Sequence, residues 1–314
     1  MASRATAPQA VEESQRDRSF RSWRKRDHEA LAAYLFLGPN IIGFLIFTAI
    51  PVVAALVIAF YDWDQLLGSE YIGLENFREL LFDDENFRAA FVNTMVFTVA
   101  NVALSVAIGL AVALLVNLSL RGIVLFRSIF LLPYVTVTVA LSLVWKWLYL
   151  PEIGLINRIL GVVGIDGPRW LTDTTWAMPA LIFLSVWKTF GYNMVLFLAG
   201  LQNIPEHLYD AAKVDGASPF QRFRDITLPM LSPTMFFVVV ISIIGSFQVF
   251  DQALVMTAGG PGTATTTLVL YIYQRGFQSG YMGYAAAIAW MLFAVVFIFT
   301  VIQFRIQRRW VSYD

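Results

Sequence analysis

One long apolar stretch of the sequence carries polar side chains at helical spacing. The range 174–205 contains a single charged residue, Lys188. Ser185 lies three residues before it and Tyr192 four residues after it, so on a helix all three share one face. An ammonium group and two hydroxyls can hold a polar ligand by hydrogen bonds, and an aromatic ring can cover its apolar side. This pattern indicates binding rather than a reaction.

A second apolar stretch, residues 226–250, has no charged residue and shows a similar pattern. Ser242, Gly245 and Ser246 lie on one helix face, and Phe250 follows at the next turn. Polar groups inside a membrane usually face a cavity or another protein segment. Small residues also let two helices pack closely, so this face is either part of a solute pathway or a contact between helices.

Lys188 has three interpretations. Charges inside a membrane are often paired, and Asp251 is the acidic residue nearest to the interior of a predicted span, so the two could form an internal ion pair. Alternatively, the side chain snorkels to the membrane surface, or the ammonium group faces the solute. The candidate pathway residues are Ser185, Lys188, Tyr192, Ser242, Ser246 and Phe250.

The composition requires that most of the surface meets something other than water. Hydrophobic residues make up 58% of the 314 residues and charged residues 14%, against about 25% charged residues in soluble domains. Six segments are long and apolar enough for helices that cross the hydrocarbon core, which takes about 20 residues. The predicted spans are 35–60, 92–117, 126–148, 177–201, 233–254 and 283–305.

Lys and Arg are unevenly distributed between the predicted loops. The side with both chain ends carries fifteen of those near the spans, and the other side carries six. Since positively charged loops remain in the cytoplasm, both termini are expected there. Residues 1–29 are expected to be a retained cytoplasmic arm, in which 18–29 either lie along the membrane surface or form a disordered basic tail. Residues 30–310 would form the six-span domain and 311–314 a C-terminal tail.

The loop between the fourth and fifth spans, residues 203–233, contains two helix-start signals. Asn203, with an acidic residue three positions later, matches the capping-box pattern, and so does Ser218 with Gln221. Gly216 lies between the two signals, where a helix end needs a residue that tolerates positive φ. The loop is therefore predicted to form two short helices joined by a bend at Gly216.

The first of these helices would present small side chains to a partner. Leu208, Ala211, Ala212 and Asp215 have the spacing of residues on one side of a helix. Alanine at two of these positions would let another protein surface approach closely. We therefore predict that this side is an interface.

The same loop contains a motif of fixed spacing. It reads Asp210-Ala211-Ala212, three residues, Gly216, nine residues, Ile226, one residue and Leu228-Pro229. This spacing resembles the EAA loop of ABC importer permeases at every position, with Asp210 where the family usually has Glu. Segments 186–192, 199–205, 247–251 and 257–261 resemble the carbohydrate-importer branch, and the resemblance extends over roughly residues 30–310.

The resemblance implies an all-helical type I ABC importer permease with six transmembrane helices, in a bacterial or archaeal cytoplasmic membrane. Its partners would be a second permease subunit, usually a different chain, two copies of a cytoplasmic ATPase, an external solute-binding protein and membrane lipid. ATP and Mg would be bound by the ATPase, since this sequence has no G-x-x-x-x-G-K-[ST] motif. The implied ATPase-coupling residues are Asp210, Ala211, Ala212, Asp215 and Gly216.

The implied solute is an oligosaccharide, a monosaccharide or a glycerophosphate. An alternative is a secondary transporter driven by an ion gradient, which would need intramembrane carboxylates or broken helices at its ion site. A membrane enzyme is a third class, but no nucleophile–base pair or histidine cluster supports it. The net charge of zero does not indicate a nucleic-acid partner, and two histidines without cysteine do not indicate a metal site.

Overall fold

The computed structural model describes residues 34–64, 68–118 and 122–310. The predicted surface helix at 18–29 and the predicted tail at 311–314 lie outside the described residues. In chain order the elements are helix α1 (Tyr34–Ile58), strands β1 (Tyr61–Asp64) and β2 (Gly68–Tyr71), and helices α2 (Glu75–Phe82), α3 (Glu85–Val116), α4 (Ile123–Val135), α5 (Thr138–Leu148), α6 (Leu155–Val162), α7 (Ala177–Gln202), α8 (Glu206–Val214), α9 (Pro219–Phe247), α10 (Leu268–Tyr273) and α11 (Met282–Trp310).

The chain divides into two compact units, Met1–Val57 and Ile58–Asp314. In the first unit, the described residues form α1, which contains a π-helical turn at Leu45–Ala49. The next turn contains Pro51, which has no N–H group to donate to the helix. The N–H of Ile50 reaches back five residues to the carbonyl of Leu45, so the turn widens around this missing donor.

Most of the predicted spans are continuous helices. Within the described residues, α1, α3, α7, α9 and α11 are each long and apolar enough to cross a membrane. The predicted span at 126–148 is not one straight helix, because α4 and α5 meet there at an angle of 96°. If this bent pair is one broken span, the count is six.

The bend between α4 and α5 has a local cause. Pro133 lies in the last turn of α4, where it removes a backbone donor. The following residues, 135–139, alternate valine and threonine, whose branched side chains are stiff and poor helix formers. Thr136 adopts an extended backbone, with φ −74° and ψ 143°, and α5 starts again at Thr138.

Helix α7 lies at the centre of the second unit, in contact with α3, α4 and α9. Two glycines permit these close approaches. A β-carbon at Gly109 of α3 would lie 2.8 Å from the Cβ of Asn193, and one at Gly191 of α7 would overlap the carbonyl of Phe130 on α4. Small residues let membrane helices approach until their backbones touch. The absence of a β-carbon at Gly191 therefore allows α4 to approach α7 this closely.

A buried carboxylate joins the N-terminal end of α3 to α10 and α11. Asp84 caps α3 by accepting hydrogen bonds from the N–H groups of Asn86 and Phe87, and it also accepts from the hydroxyls of Tyr271 and Tyr284, at 2.5 and 2.6 Å. Burial disfavours the charged form, but the hydrogen bonds from the two tyrosines and from the backbone outweigh it and hold the pKa of Asp84 below its ordinary value.

The contact at Gly191 can be tested by adding a single methyl group. Gly191→Ala should lower the apparent Tm of the detergent-solubilised protein by several degrees, because overpacking typically costs about 1–3 kcal/mol. Gly161→Ala is a matched control, since its β-carbon would meet nothing within 4 Å. The control should have an unchanged or higher Tm, because alanine favours helix over glycine. Equal values for the two variants would contradict a tight α4–α7 contact.

Candidate functional site

A cavity of about 490 Å³ opens between α3, α4, α5, α7, α9 and the segment after α9. Its volume lies within the range of small-molecule sites, about 300–1,000 Å³. Polar and aromatic side chains from both apolar stretches line it. All six candidate pathway residues are among them: Ser185, Lys188, Tyr192, Ser242, Ser246 and Phe250. The structure thus brings together two helix faces that the sequence places far apart.

Lys188 bonds to a hydroxyl group rather than to the carboxylate of Asp251. Its Nζ donates a hydrogen bond to Oγ1 of Thr138, the first residue of α5, at 2.5 Å. Asp251 also lines the cavity, but no ion pair joins it to Lys188 in the part of the chain that the structure describes. The bend between α4 and α5 therefore places Thr138 beside Lys188, where its hydroxyl holds the ammonium group.

Two stacked tyrosines form one wall of the cavity. The rings of Tyr134 on α4 and Tyr192 on α7 lie 4.3 Å apart with an interplanar angle of 9°. Phe97 of α3 and Phe250 add two further aromatic rings to the lining. Such faces suit the apolar side of a ligand that also carries hydrogen-bonding groups.

Amide and hydroxyl groups join the helices around the cavity. Asn101 of α3 donates from Nδ2 to the hydroxyl of Ser246 at 2.9 Å. Asn193 of α7 donates to the hydroxyl of Ser105 at 3.3 Å and accepts from Ser242 at 3.5 Å. The serines on α9 thus serve both interpretations, since they line the cavity and also contact other helices.

Several lining residues were not identified from the sequence. Among them are Tyr134, Thr138, Thr189, Asn193 and Gln252, the last of which donates to Oγ of Ser185 at 2.5 Å. Tyr134 and Thr138 are four residues apart, which is a helical spacing, but the bend lies between them. Thr189 and Asn193 follow Ser185 at intervals of four residues, so the three share one face of α7. This spacing could have identified both residues from the sequence.

The loop 203–233 forms two helices joined at Gly216, but the prediction that both are short is wrong, because the second is the start of the long helix α9. The first, α8, ends in a Schellman motif: the N–H of Ala217 donates to Ala212 at 2.9 Å and that of Gly216 to Lys213 at 3.1 Å. Gly216 has a φ of +78°, which a residue with a β-carbon adopts only with strain.

The two predicted helix starts have different outcomes. Ser218 and Gln221 form the capping box at the start of α9, with distances of 2.7 and 3.3 Å. The prediction of a capping box at Asn203 is wrong, because Asn203 ends α7 and Pro205 is the residue before α8. Proline has no polar side chain, and it instead fixes the backbone where the chain turns.

The predicted side of α8 is divided between two environments. Leu208 and Ala212 are half-buried, and Leu208 packs against the apolar cluster of α7 and α9. Ala211 and Asp215 are exposed, so the four residues do not share one environment. Val214 also lies on the outward face and is 88% exposed. Because one side of α8 packs on its own chain, a partner can bind only the opposite side.

Asp210 lies on this outward side and forms an ion pair with Lys213 one turn later, at 2.9 Å. The hydrogen bond and the charge of Lys213 hold the pKa of Asp210 below its ordinary value. Both side chains are exposed, so the pair adds little stability and remains free to exchange partners. Tyr209, on the inner side, links α8 to Thr227 of α9 through a hydroxyl contact of 3.0 Å.

Comparisons with known proteins agree on one type of protein. A family model described as a binding-protein-dependent transport system inner membrane component matches residues 103–312. The chain is 40% identical over 288 residues to a probable ABC transporter permease protein, YesP, of Bacillus subtilis, covering 90% of this chain and 93% of that protein. It is 35% identical over 281 residues to the trehalose/maltose transport system permease protein MalF of Thermococcus litoralis, covering 89% and 95%.

A solved structure has the same fold. It is a bacterial ABC transporter involved in the import of the acidic polysaccharide alginate, with a TM-score of 0.81 and 27% identity, covering 93% of this chain and 100% of that chain. These similarities confirm the predicted fold class and the resemblance to importer permeases. They support ABC import over an ion-driven transporter or a membrane enzyme.

The aromatic wall of the cavity yields a prediction about solute affinity. Tyr192→Ala should raise the apparent KM for solute uptake about two- to tenfold, since an aromatic stacking contact is worth roughly 0.5–1.5 kcal/mol beyond its buried area. Tyr192→Phe keeps the ring and should stay closer to the wild type. Tyr281→Ala, an exposed tyrosine that does not line the cavity, is the control. Unchanged kinetics for Tyr192→Ala at normal complex yield would remove this residue from the site.

Proposed function

Because this chain belongs to the family of binding-protein-dependent transport system inner membrane components, we propose that it forms half of the pore of an ATP-driven importer for a sugar or sugar-like solute. The cavity is the single observation that carries this proposal. It gathers hydroxyl, amide and ammonium groups beside stacked aromatic rings, and hydroxyl-rich rings with apolar faces match that combination. The relatives that import trehalose/maltose and alginate support the same solute class.

We assign the energy coupling to α8 and the bend that follows it. An ATPase subunit would bind the outward side of α8, where Asp210, Ala211 and Val214 are exposed. The inner side is held to α9 by Tyr209 and to the apolar cluster by Leu208. A helix that is firmly attached to two spans transmits the movement of its partner to both of them.

The complete importer would contain four kinds of component. Besides this chain, these are a second permease subunit, two copies of a cytoplasmic ATPase that binds ATP and Mg, and an external solute-binding protein. The family is named for dependence on a binding protein, which supports the last of these. The domain would comprise residues 30–310, between a cytoplasmic arm at 1–29 and a tail at 311–314.

The proposed orientation places both chain ends and α8 in the cytoplasm. The excess of Lys and Arg on that side supports it, and so does the acidic composition of residues 62–90 on the other side. The bent pair α4–α5 then counts as one broken span, because two ends on one side require an even number of crossings.

Single-cysteine labelling tests this orientation directly, because the chain has no native cysteine. Asp83→Cys and Asn117→Cys place a thiol at two exposed positions on opposite predicted sides. In intact cells a membrane-impermeant maleimide should label the cysteine at position 83 but not the one at 117. Permeabilisation should expose position 117. The reverse pattern would invert the orientation and remove α8 from the cytoplasm.

A bulky side chain on the outward face of α8 tests the coupling role. Ala211→Trp should leave the spans inserted, because this side chain is exposed. It should weaken ATPase binding about five- to a hundredfold, as expected for overpacking a tight contact by roughly 1–3 kcal/mol. Retention of the ATPase on the purified complex and solute-stimulated hydrolysis are the two measurements.

Two further variants sharpen this test. Gln202→Trp introduces the same bulk at an exposed position at the end of α7 and should retain the ATPase. Gly216→Val should impair coupling by straining the bend rather than by blocking the surface, since its φ of +78° disfavours a β-carbon. If Ala211→Trp retained wild-type ATPase binding and stimulation, the outward face of α8 would not be the coupling surface.

A further inference from the structure

The charges that line the cavity balance. Lys188 and Asp251 are the lining residues that carry a formal charge near neutral pH, one of each sign. No ion pair joins them in the part of the chain that the structure describes. Every other polar lining group is a neutral hydroxyl or amide. Unlike a site built for a phosphate or a carboxylate, which gathers arginine, lysine or helix N-termini, this one has no excess of positive charge.

The two charged groups differ in how far their hydrogen bonds are satisfied. The ammonium group of Lys188 already donates to Thr138. The carboxylate of Asp251 accepts no hydrogen bond from any residue in the described part of the chain, although it is half-buried and lines the cavity. A half-buried carboxylate with open acceptor positions is a binding group for hydroxyl donors. It repels any anion brought close to it in a cavity of reduced dielectric.

The rest of the lining supports the same class of ligand. The stacked rings of Tyr134 and Tyr192 offer a flat apolar face, and Asn193 and Gln252 provide neutral hydrogen-bonding groups nearby. A neutral sugar ring needs both features and no counter-charge. An acidic sugar would place its negative charge in a cavity where Asp251 already offsets the field of Lys188.

We propose that the cavity takes an uncharged saccharide, and that Asp251 is a specificity-determining residue that accepts hydrogen bonds from sugar hydroxyls and rejects uronates and sugar phosphates. This inference rests on the proposed import of a sugar-like solute and narrows it. It separates this chain from the structurally similar importer of the acidic polysaccharide alginate. Within the cavity, Lys188 and Asp251 form a matched pair rather than an anion site.

The solute class can be measured without knowing the solute. One mixture of short saccharides is separated by anion exchange into a neutral fraction and an acidic fraction of uronates and sugar phosphates. Each fraction is then added to the complete transporter in proteoliposomes with its own binding protein. The neutral fraction should stimulate ATP hydrolysis and be taken up, and the acidic fraction should do neither. Stimulation by the acidic fraction would overturn the inference while leaving sugar import intact. A response to neither fraction would overturn sugar import itself.

The role of Asp251 is tested with the neutral solute found in this way. Asp251→Asn should reduce uptake about tenfold or more, because a charged acceptor is lost from the contact with the solute. Asp251→Glu keeps the carboxylate and should recover most of the rate. Glu70→Gln, which removes an exposed carboxylate outside the cavity, should behave like the wild type. Wild-type uptake by Asp251→Asn at equal complex yield would exclude Asp251 from solute selection.

Discussion

Polar side chains within membrane-spanning helices have only each other, the backbone or a water-filled cavity for hydrogen bonding, and this constraint organises the molecule. Asn101 on α3 bonds to Ser246 on α9, and Asn193 on α7 bonds to Ser105 on α3 and to Ser242 on α9. The three helices are therefore joined by polar contacts that also line the cavity. A substitution there changes the packing of the helices and the surface offered to a solute at the same time.

The cavity depends equally on how closely α7 approaches its neighbours. Gly109 and Gly191 remove the β-carbons that would separate α7 from α3 and α4. With α4 pressed against α7, Tyr134 of α4 stacks on Tyr192, and the bend after α4 places Thr138 beside Lys188. The broken helix is thus part of the site rather than an interruption of a span, because only a change of direction brings both of its halves to the cavity wall.

The cavity and the loop 203–233 are connected through the same two helices. Helices α7 and α9 carry cavity residues, and the loop between them contains α8. The Schellman motif at Gly216 and the capping box at Ser218 make the bend in this loop defined rather than flexible, while Tyr209 attaches α8 to the start of α9. A displacement of α8 would therefore act on both cavity-lining helices through these connections.

Features that depend on a residue and its near neighbours were predictable from the sequence: the apolar segments, the polar stripes at helical spacing and the bend at Gly216. The tertiary structure alone decided the 96° bend of α4–α5, the division of α8 into inner and outer sides, and the partner of Lys188. Hydropathy reports how apolar a segment is but not its direction after Pro133, and helical spacing defines a face but not what covers it. Lys188 and Thr138 are 50 residues apart, and their contact depends on the packing of α4 against α7, which no local pattern records.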